Sequence, residues 1–378
     1  MSIIGIDYTP AIEQEAGIGR YVRELVAALA QLDTQTDYRL FTAHTSQNPS
    51  IHNIGTNFRW QTSPFSSRWH SRIWHRLNVP LSVEWIVGSV DLFHSTDFVL
   101  PPTRRSTISV LTVHDLSFVR VPETASPRLK AYLDSVVPRS VKRADHILAD
   151  STATKKDLLE LYGVRPEKIT VLLSGVDSHF VRSSEAVIAT TRRKYGISEL
   201  PYIFSVGTVQ PRKNYSRLIG ALSILRAHNY DIQLIIAGGR GWLESEIYET
   251  LKRHRLGDYV NFIGFANDTD LPALYSGAAC FAFPSLYEGF GFPVLEAMAC
   301  GTPTVTSNVS SLPEVAGDAA IVIDPYDIEE LANAIRSILD DKILSSRLSH
   351  AGLDRARQFT WEKSALHLRN IYDHLLGK

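Results

Sequence analysis

Cysteine is scarce: two residues among 378, Cys280 and Cys300, sit in apolar surroundings without a C-x-x-C spacing. That excludes a disulfide framework and a thiolate zinc site, and it fits a reducing cytoplasm. A surplus of one charge is lacking too, since 39 Lys and Arg stand against 40 Asp and Glu for a net charge of -1. No global field favours nucleic acid or an anionic membrane, so any phosphate must be bound locally. No apolar run approaches the roughly 20 residues that a spanning helix requires. The opening "MSIIGIDYTP" reads at once as a strand and a turn, without the basic and apolar regions of a secretory signal. There is no repeat at a fixed short period and no low-complexity tract. These absences describe a cytoplasmic, soluble protein, attached at most to the inner face of a membrane.

What is present is length and alternation. A chain of 378 residues most often divides into two domains. Short apolar runs bounded by turn residues alternate with amphipathic stretches, the pattern of βα units around a buried parallel sheet. The pattern predicts strands at 2–8, 91–95, 107–115 and 146–151, and a helix over 18–32 with Tyr21, Leu25, Ala28 and Leu29 on its inner face. Ser151 or Thr152 is placed to N-cap a further helix. The second half restarts the grammar, with strands at 202–208, 232–239, 260–265, 280–285, 302–307 and 319–324. The expected fold is α/β, with two doubly wound Rossmann-like domains facing each other across a cleft. An N-terminal domain spans 1–180, a polar, irregular linker 181–199, and a second domain 200–359. A C-terminal helix over 360–378 carries Trp361, Leu366, Ile371 and Leu375 on one side; it either finishes the second domain or crosses back to the first.

The segment "SLYEGFGFPVLEAMACGTPTVTS" (285–307) carries the chemistry. A strand stops at Ser285, Pro293 suits a first helical turn, and Gly301 closes the helix. Gly289 and Gly291 let backbone approach a ligand, and the helix N-terminus favours an anion. Glu288 falls in the loop and Glu296 in the helix, so a carboxylate flanks the phosphate site on each side. The plainer reading of the same residues is turn chemistry with a helix-dipole partner. In "VGTVQPRKNYSRLI" (206–219), a strand is followed by a turn with adjacent Arg212 and Lys213, which reads either as a phosphate-binding pair or as a solvated basic turn.

"EGFGFPVLEAMACGTPTVTS" resembles the E-x7-E signature of family 4 glycosyltransferases, retaining enzymes of the GT-B fold. Three further segments match in order, so the resemblance covers nearly the whole chain. It implies that Glu288 contacts the transferred sugar and Glu296 the ribose hydroxyls of the nucleotide. Backbone from Phe290, Gly291, Phe292, Pro293, Val294 and Leu295 would hold the sugar and pyrophosphate. In "EAGIGRYVREL" (15–25), Gly17 and Gly19 would lie opposite the pyrophosphate, although the segment fails as a dinucleotide fingerprint because a third glycine is missing. In "LTVHDLSF" (111–118), His114 would stand beside the donor sugar, with Asp115 orienting it or capping the turn; a buried structural histidine is the competing account.

Other signals are discounted. "NDTD" (267–270) precedes a helix, so Asp268 or Thr269 reads as an N-cap rather than a metal ligand. The histidines of "WHSRIWHR" (69–76) are five apart, wrong for metal chelation on one helix face. The surrounding 66–88 stretch suits a membrane interface or packing within the first domain. By a weaker likeness it resembles O-antigen mannosyltransferase-like members. The reaction implied is retaining, metal-independent transfer of a hexose, foremost mannose from GDP-mannose, to a hydroxyl of a glycan or lipid-linked oligosaccharide in polysaccharide biosynthesis. UDP-glucose, UDP-N-acetylglucosamine and dTDP-rhamnose are alternative donors. A glycoside hydrolase, a nucleotide-sugar binding module and a sugar-nucleotide epimerase are the competing functions. No cofactor beyond the nucleotide diphosphate sugar, no metal and no nucleic acid partner is expected; peripheral membrane contact is left open.

Overall fold

A computed structural model describes residues 2–14, 17–44, 55–77 and 79–378. Met1, Glu15, Ala16 and Asn78, which fall in segments quoted above, lie outside the described residues. Two compact units emerge. Unit 1 comprises Met1–Leu116, Arg128–Gly175 and Thr360–Lys378, and unit 2 comprises Ser117–Pro127 and Val176–Phe359.

Unit 1 is built on a seven-stranded parallel sheet in the order β3-β2-β1-β4-β5-β6-β7. The strands are β1 (Ile3–Asp7), β2 (Asp37–Thr42), β3 (Phe58–Thr62), β4 (Leu92–Ser95), β5 (Ile108–Val113), β6 (His146–Ala149) and β7 (Ile169–Val171). Every residue of β4 and β6 is buried, as helices on both faces demand, and such strands read as continuous apolar runs. The apolar pattern misses β2, β3 and β7, because Asp37, Arg39, Arg59 and Gln61 interrupt the first two and β7 is three residues long.

The helix Ile18–Leu32 buries Tyr21, Leu25, Ala28 and Leu29, as its spacing predicts. Against it packs the C-terminal helix Trp361–Leu375, with the Trp361 ring 6.3 Å from that of Tyr21. Its inner face is Trp361, Ala365, Leu368, Ile371 and Tyr372. Leu366, expected on that side, is 47% exposed. Five residues at 3.6 per turn carry it about 140° round from Trp361. Tyr372 Oη and His94 Nδ1 are 2.6 Å apart, while His94 Nε2 meets Thr112 Oγ1 at 2.8 Å. Ser151 caps the helix Thr152–Tyr162 by accepting the Thr154 amide.

Unit 2 carries a six-stranded parallel sheet in the order β10-β9-β8-β11-β12-β13. Its strands are β8 (Tyr202–Val206), β9 (Gln233–Ala237), β10 (Val260–Gly264), β11 (Cys280–Phe283), β12 (Thr304–Ser307) and β13 (Ile321–Ile323), all six legible in the sequence. Leu218, Leu222, Leu234, Ile236, Val305 and Ile335 anchor its core. The stretch expected as an irregular linker contains the helix Glu185–Lys194, which buries Ile188 and Thr191 within unit 2. With so few apolar positions its periodicity is faint. Residues 117–127, expected in the first domain, group with unit 2, where Trp242 Nε1 donates to the Thr124 carbonyl at 2.8 Å. Neither Asp268 nor Thr269 is an N-cap: the helix Leu271–Ser276 starts after Asp270, whose carboxylate instead takes Lys194 at 2.6 Å and Tyr195 at 2.7 Å.

Strand order reverses between β1 and β4 in unit 1 and between β8 and β11 in unit 2. At such switch points the connections leave in opposite directions, and a crevice opens beyond the carboxyl ends of the strands.

Candidate active site

In unit 2 the loops leaving β8 and β11 meet at the switch point. Pro211–Lys213 makes one 3-10 turn, and Asn214 follows with φ 60°. The Asn214 amide donates to the carbonyls of Pro284 at 2.9 Å and Pro325 at 2.7 Å, which fixes the turn to the ends of β11 and β13. Lys213 is buried; its ammonium lies 4.6 Å from the centre of the Phe283 ring, and a Cβ on Gly207 would come within 2.8 Å of its Cε. Gly207 itself stands at φ 142°, a backbone conformation that favours glycine.

Glu288 receives both cations. Its Oε1 lies 2.7 Å from Lys213 Nζ and its Oε2 2.8 Å from Arg212 Nη1. Arg212 Nη1 also donates to the Tyr287 carbonyl at 2.7 Å. Burial pushes the Glu288 carboxyl up, but the Arg212 and Lys213 charges outweigh it and hold the group at about 2. Two serines after β12 fasten the loop: Glu288 N donates to Ser310 Oγ at 2.9 Å, and Ser311 Oγ donates to the carbonyls of Glu288 at 3.0 Å and Phe290 at 2.7 Å. Gly291, at φ 114°, turns the chain into the helix Phe292–Ala299, which has Pro293 in its first turn and no side chain capping it. The amides of such a turn favour an anion.

Val294 and Leu295 are fully buried in the core of unit 2, so only their backbone can serve a ligand. Phe290 is buried between Phe292, at 5.2 Å, and Phe359, at 6.1 Å. Glu296 lies further along the helix, buried, and accepts from Tyr275 Oη at 2.7 Å. The structure thus brings Arg212, Lys213 and Glu288 together and gives Glu296 separate surroundings.

His114, Gly17 and Gly19 belong to unit 1. His114, one residue beyond β5, has both ring nitrogens engaged: Nδ1 with Asp150 Oδ2 at 2.7 Å and Nε2 with the Thr96 carbonyl at 2.9 Å. A carbonyl only accepts, so Nε2 carries a proton and a second is shared between Nδ1 and Asp150. Burial pulls His114 down, yet the Asp150 charge and hydrogen bond lift it to about 9. Asp150 at the end of β6, and not the adjacent Asp115, is the carboxylate that orients it. Gly17 opens the helix Ile18–Leu32 at φ 55°. A Cβ on Gly19 would fall 1.7 Å from the Gln14 carbonyl oxygen, so no other residue fits.

Asp150, Asn214, Tyr275, Ser310 and Ser311 escape the sequence reading. For Asp150 a signal exists, since it closes the strand paired with the one that His114 follows. Among the described residues no group of three or more His, Cys, Asp and Glu is arranged to hold a metal ion, and no helix is long and apolar enough to cross a membrane.

Two parallel-sheet α/β units with a cationic, glycine-rich switch-point site are the pattern of a GT-B glycosyltransferase. Residues 16–180 match the family described as Glycosyltransferase Family 4, and residues 187–355 match Glycosyl transferases group 1. An O-antigen chain mannosyltransferase B of Escherichia coli is 31% identical across 94% of this chain and 95% of its own. The chain therefore belongs to glycosyltransferase family 4. Among solved structures, a sucrose-phosphate synthase from Thermosynechococcus elongatus shares the fold with a TM-score of 0.76 at 22% identity, covering 100% of both chains. HepE from Anabaena, solved with UDP-glucose, does so with a TM-score of 0.74 at 18% identity, covering 98% of this chain and 99% of its own.

Proposed function

We propose that the protein transfers a mannosyl group from GDP-mannose to a hydroxyl of a glycan or lipid-linked oligosaccharide, with retention at the anomeric carbon and without a metal. The observation that carries this reading is the cluster of half-buried Arg212 with buried Lys213 and Glu288 beside the uncapped helix at Phe292. The bond from the anomeric carbon to the β-phosphate oxygen breaks, and the nucleoside diphosphate leaves with the electron pair. The acceptor oxygen bonds to the anomeric carbon from the same face, and its proton passes to the departing phosphate. Arg212, Lys213 and the helix N-terminus offset the charge that develops on the leaving group, the work a divalent cation does elsewhere. Glu288 fixes both cations and is itself held ionised, which suits it to position the sugar and not to act as an acid. Glu296 serves the ribose hydroxyls. His114, with both nitrogens occupied by Asp150 and the Thr96 carbonyl, is a fixed member of unit 1 and not a mobile proton donor.

Mannose is favoured by the mannosyltransferase relative, which matches along nearly its whole length. UDP-glucose is the second reading, supported by the UDP-glucose complex of HepE. The test is transfer from GDP-mannose, UDP-glucose, UDP-N-acetylglucosamine and dTDP-rhamnose in excess EDTA, with product configuration read by NMR. An α-mannosyl product formed in EDTA supports the reading. An inverted product, strict metal dependence, or sugar release from a nucleotide-free glycoside would sink it.

A further inference from the structure

Unit 1 holds a second cationic site that the donor chemistry does not use. A cavity of about 1070 Å³ is lined by Arg68, Arg72, Arg76 and Arg128, with Glu13 and Tyr132 among its walls. Its walls come from segments that follow the carboxyl ends of β1, β3 and β5, the edge at which open α/β sheets bind ligands. Arg68, Arg72 and Arg76 recur every four residues from the helix Ser67–His70 into the π-helical segment Ser71–Arg76, and so lie along one face. No ion pair to a carboxylate is formed by any of the four arginines among the described residues. Arg72 lies over the Trp69 ring at 5.1 Å, and Glu13, the carboxylate on the wall, accepts the Ser67 hydroxyl.

The chain holds one more carboxylate than cations, 40 against 39, so four arginines gathered in one cavity with no carboxylate partner among the described residues are a local feature. Guanidinium groups are planar forks that match two phosphate oxygens at once, and several around one cavity suit a dianion or trianion. We propose that this cavity binds the diphosphate ester of the acceptor, so that the acceptor is a glycan carried on a diphosphate and not a free polysaccharide end. The acceptor assignment rests on the transferase reading; the anion site does not.

The test is calorimetric titration of the full chain with inorganic pyrophosphate in EDTA, for wild type, Arg68→Gln/Arg72→Gln, Arg128→Gln and Lys213→Ala, each checked for folding by circular dichroism. The expected result is a binding event weakened at least tenfold in both arginine variants and kept in Lys213→Ala. Pyrophosphate binding that Lys213→Ala alone removes, or no binding by wild type, overturns the proposal. Flotation with phosphatidylglycerol vesicles separates a lipid-surface role: vesicle binding lost in the arginine variants, with pyrophosphate affinity unchanged, also overturns it. For the acceptor, KM for an alkyl-diphosphate glycan should rise at least tenfold in Arg128→Gln, while KM for the same glycan without the diphosphate should not move. An equal rise in both KM values contradicts the acceptor assignment. Absence of transfer from every donor would refute the transferase reading and leave the titration to judge the anion site.

Discussion

At the scale of single residues, Glu288 is the member whose removal is most informative. It is buried with two cations, and deleting one partner of a buried ion pair leaves uncompensated charge, at a cost of about 3–5 kcal/mol. Glu288→Ala should therefore destabilise unit 2 by that amount near neutrality, measured by denaturant unfolding. Its carboxyl is depressed from 4.5 to about 2, so the stability it confers is fully present above pH 4.5 and fades as pH falls towards 2. Wild-type and Glu288→Ala melting midpoints should converge across that window; curves that stay parallel would refute the paired carboxylate. His114 has the opposite sign. Raised from 6.5 to about 9, it contributes stability below pH 6.5 that is lost as pH rises through 9, and Asp150→Asn should abolish that alkaline decline. For Lys213→Ala, loss of one fixed charge at the leaving group should lower kcat by roughly 10²–10³-fold. A rate within twofold of wild type would remove Lys213 from the chemistry.

At the scale of elements, Tyr372 and Leu366 make a matched pair on the C-terminal helix. Tyr372→Phe strips the buried His94 Nδ1 of its partner and should cost about 1–3 kcal/mol. Leu366→Ala, on the exposed side, should stay within about 0.5 kcal/mol of wild type. A chemical denaturation series on both variants checks the helix's orientation, and reversed magnitudes would refute it. The pair also marks how far sequence reaches. Buried strands such as β4, β6 and β8 announce themselves because both faces must be apolar, whereas β2 and β3 carry charge and are invisible to the same rule. The Glu288 loop and the Arg212–Lys213 turn were legible because glycine, proline and adjacent cations punctuate the chain. Ser310, Ser311 and Asp150 were not, since an ordinary serine or aspartate gains its role only when another strand end is laid beside it.

At the scale of the whole molecule, near-zero net charge stands beside two locally cationic sites, so on the proposed reading anions would be held by placement rather than by a global field. The central claim is that a nucleoside diphosphate sits on Arg212 and Lys213 in unit 2 without a metal. Thermal unfolding in excess EDTA with GDP, UDP, dTDP or ADP, on wild type and Lys213→Ala, tests it most directly. A ligand at about 100 times its dissociation constant stabilises by roughly 2.7 kcal/mol, enough to move a midpoint visibly. The account predicts that GDP raises the wild-type midpoint and leaves that of Lys213→Ala unmoved. No shift with any nucleotide, or an equal shift in both proteins, would contradict it.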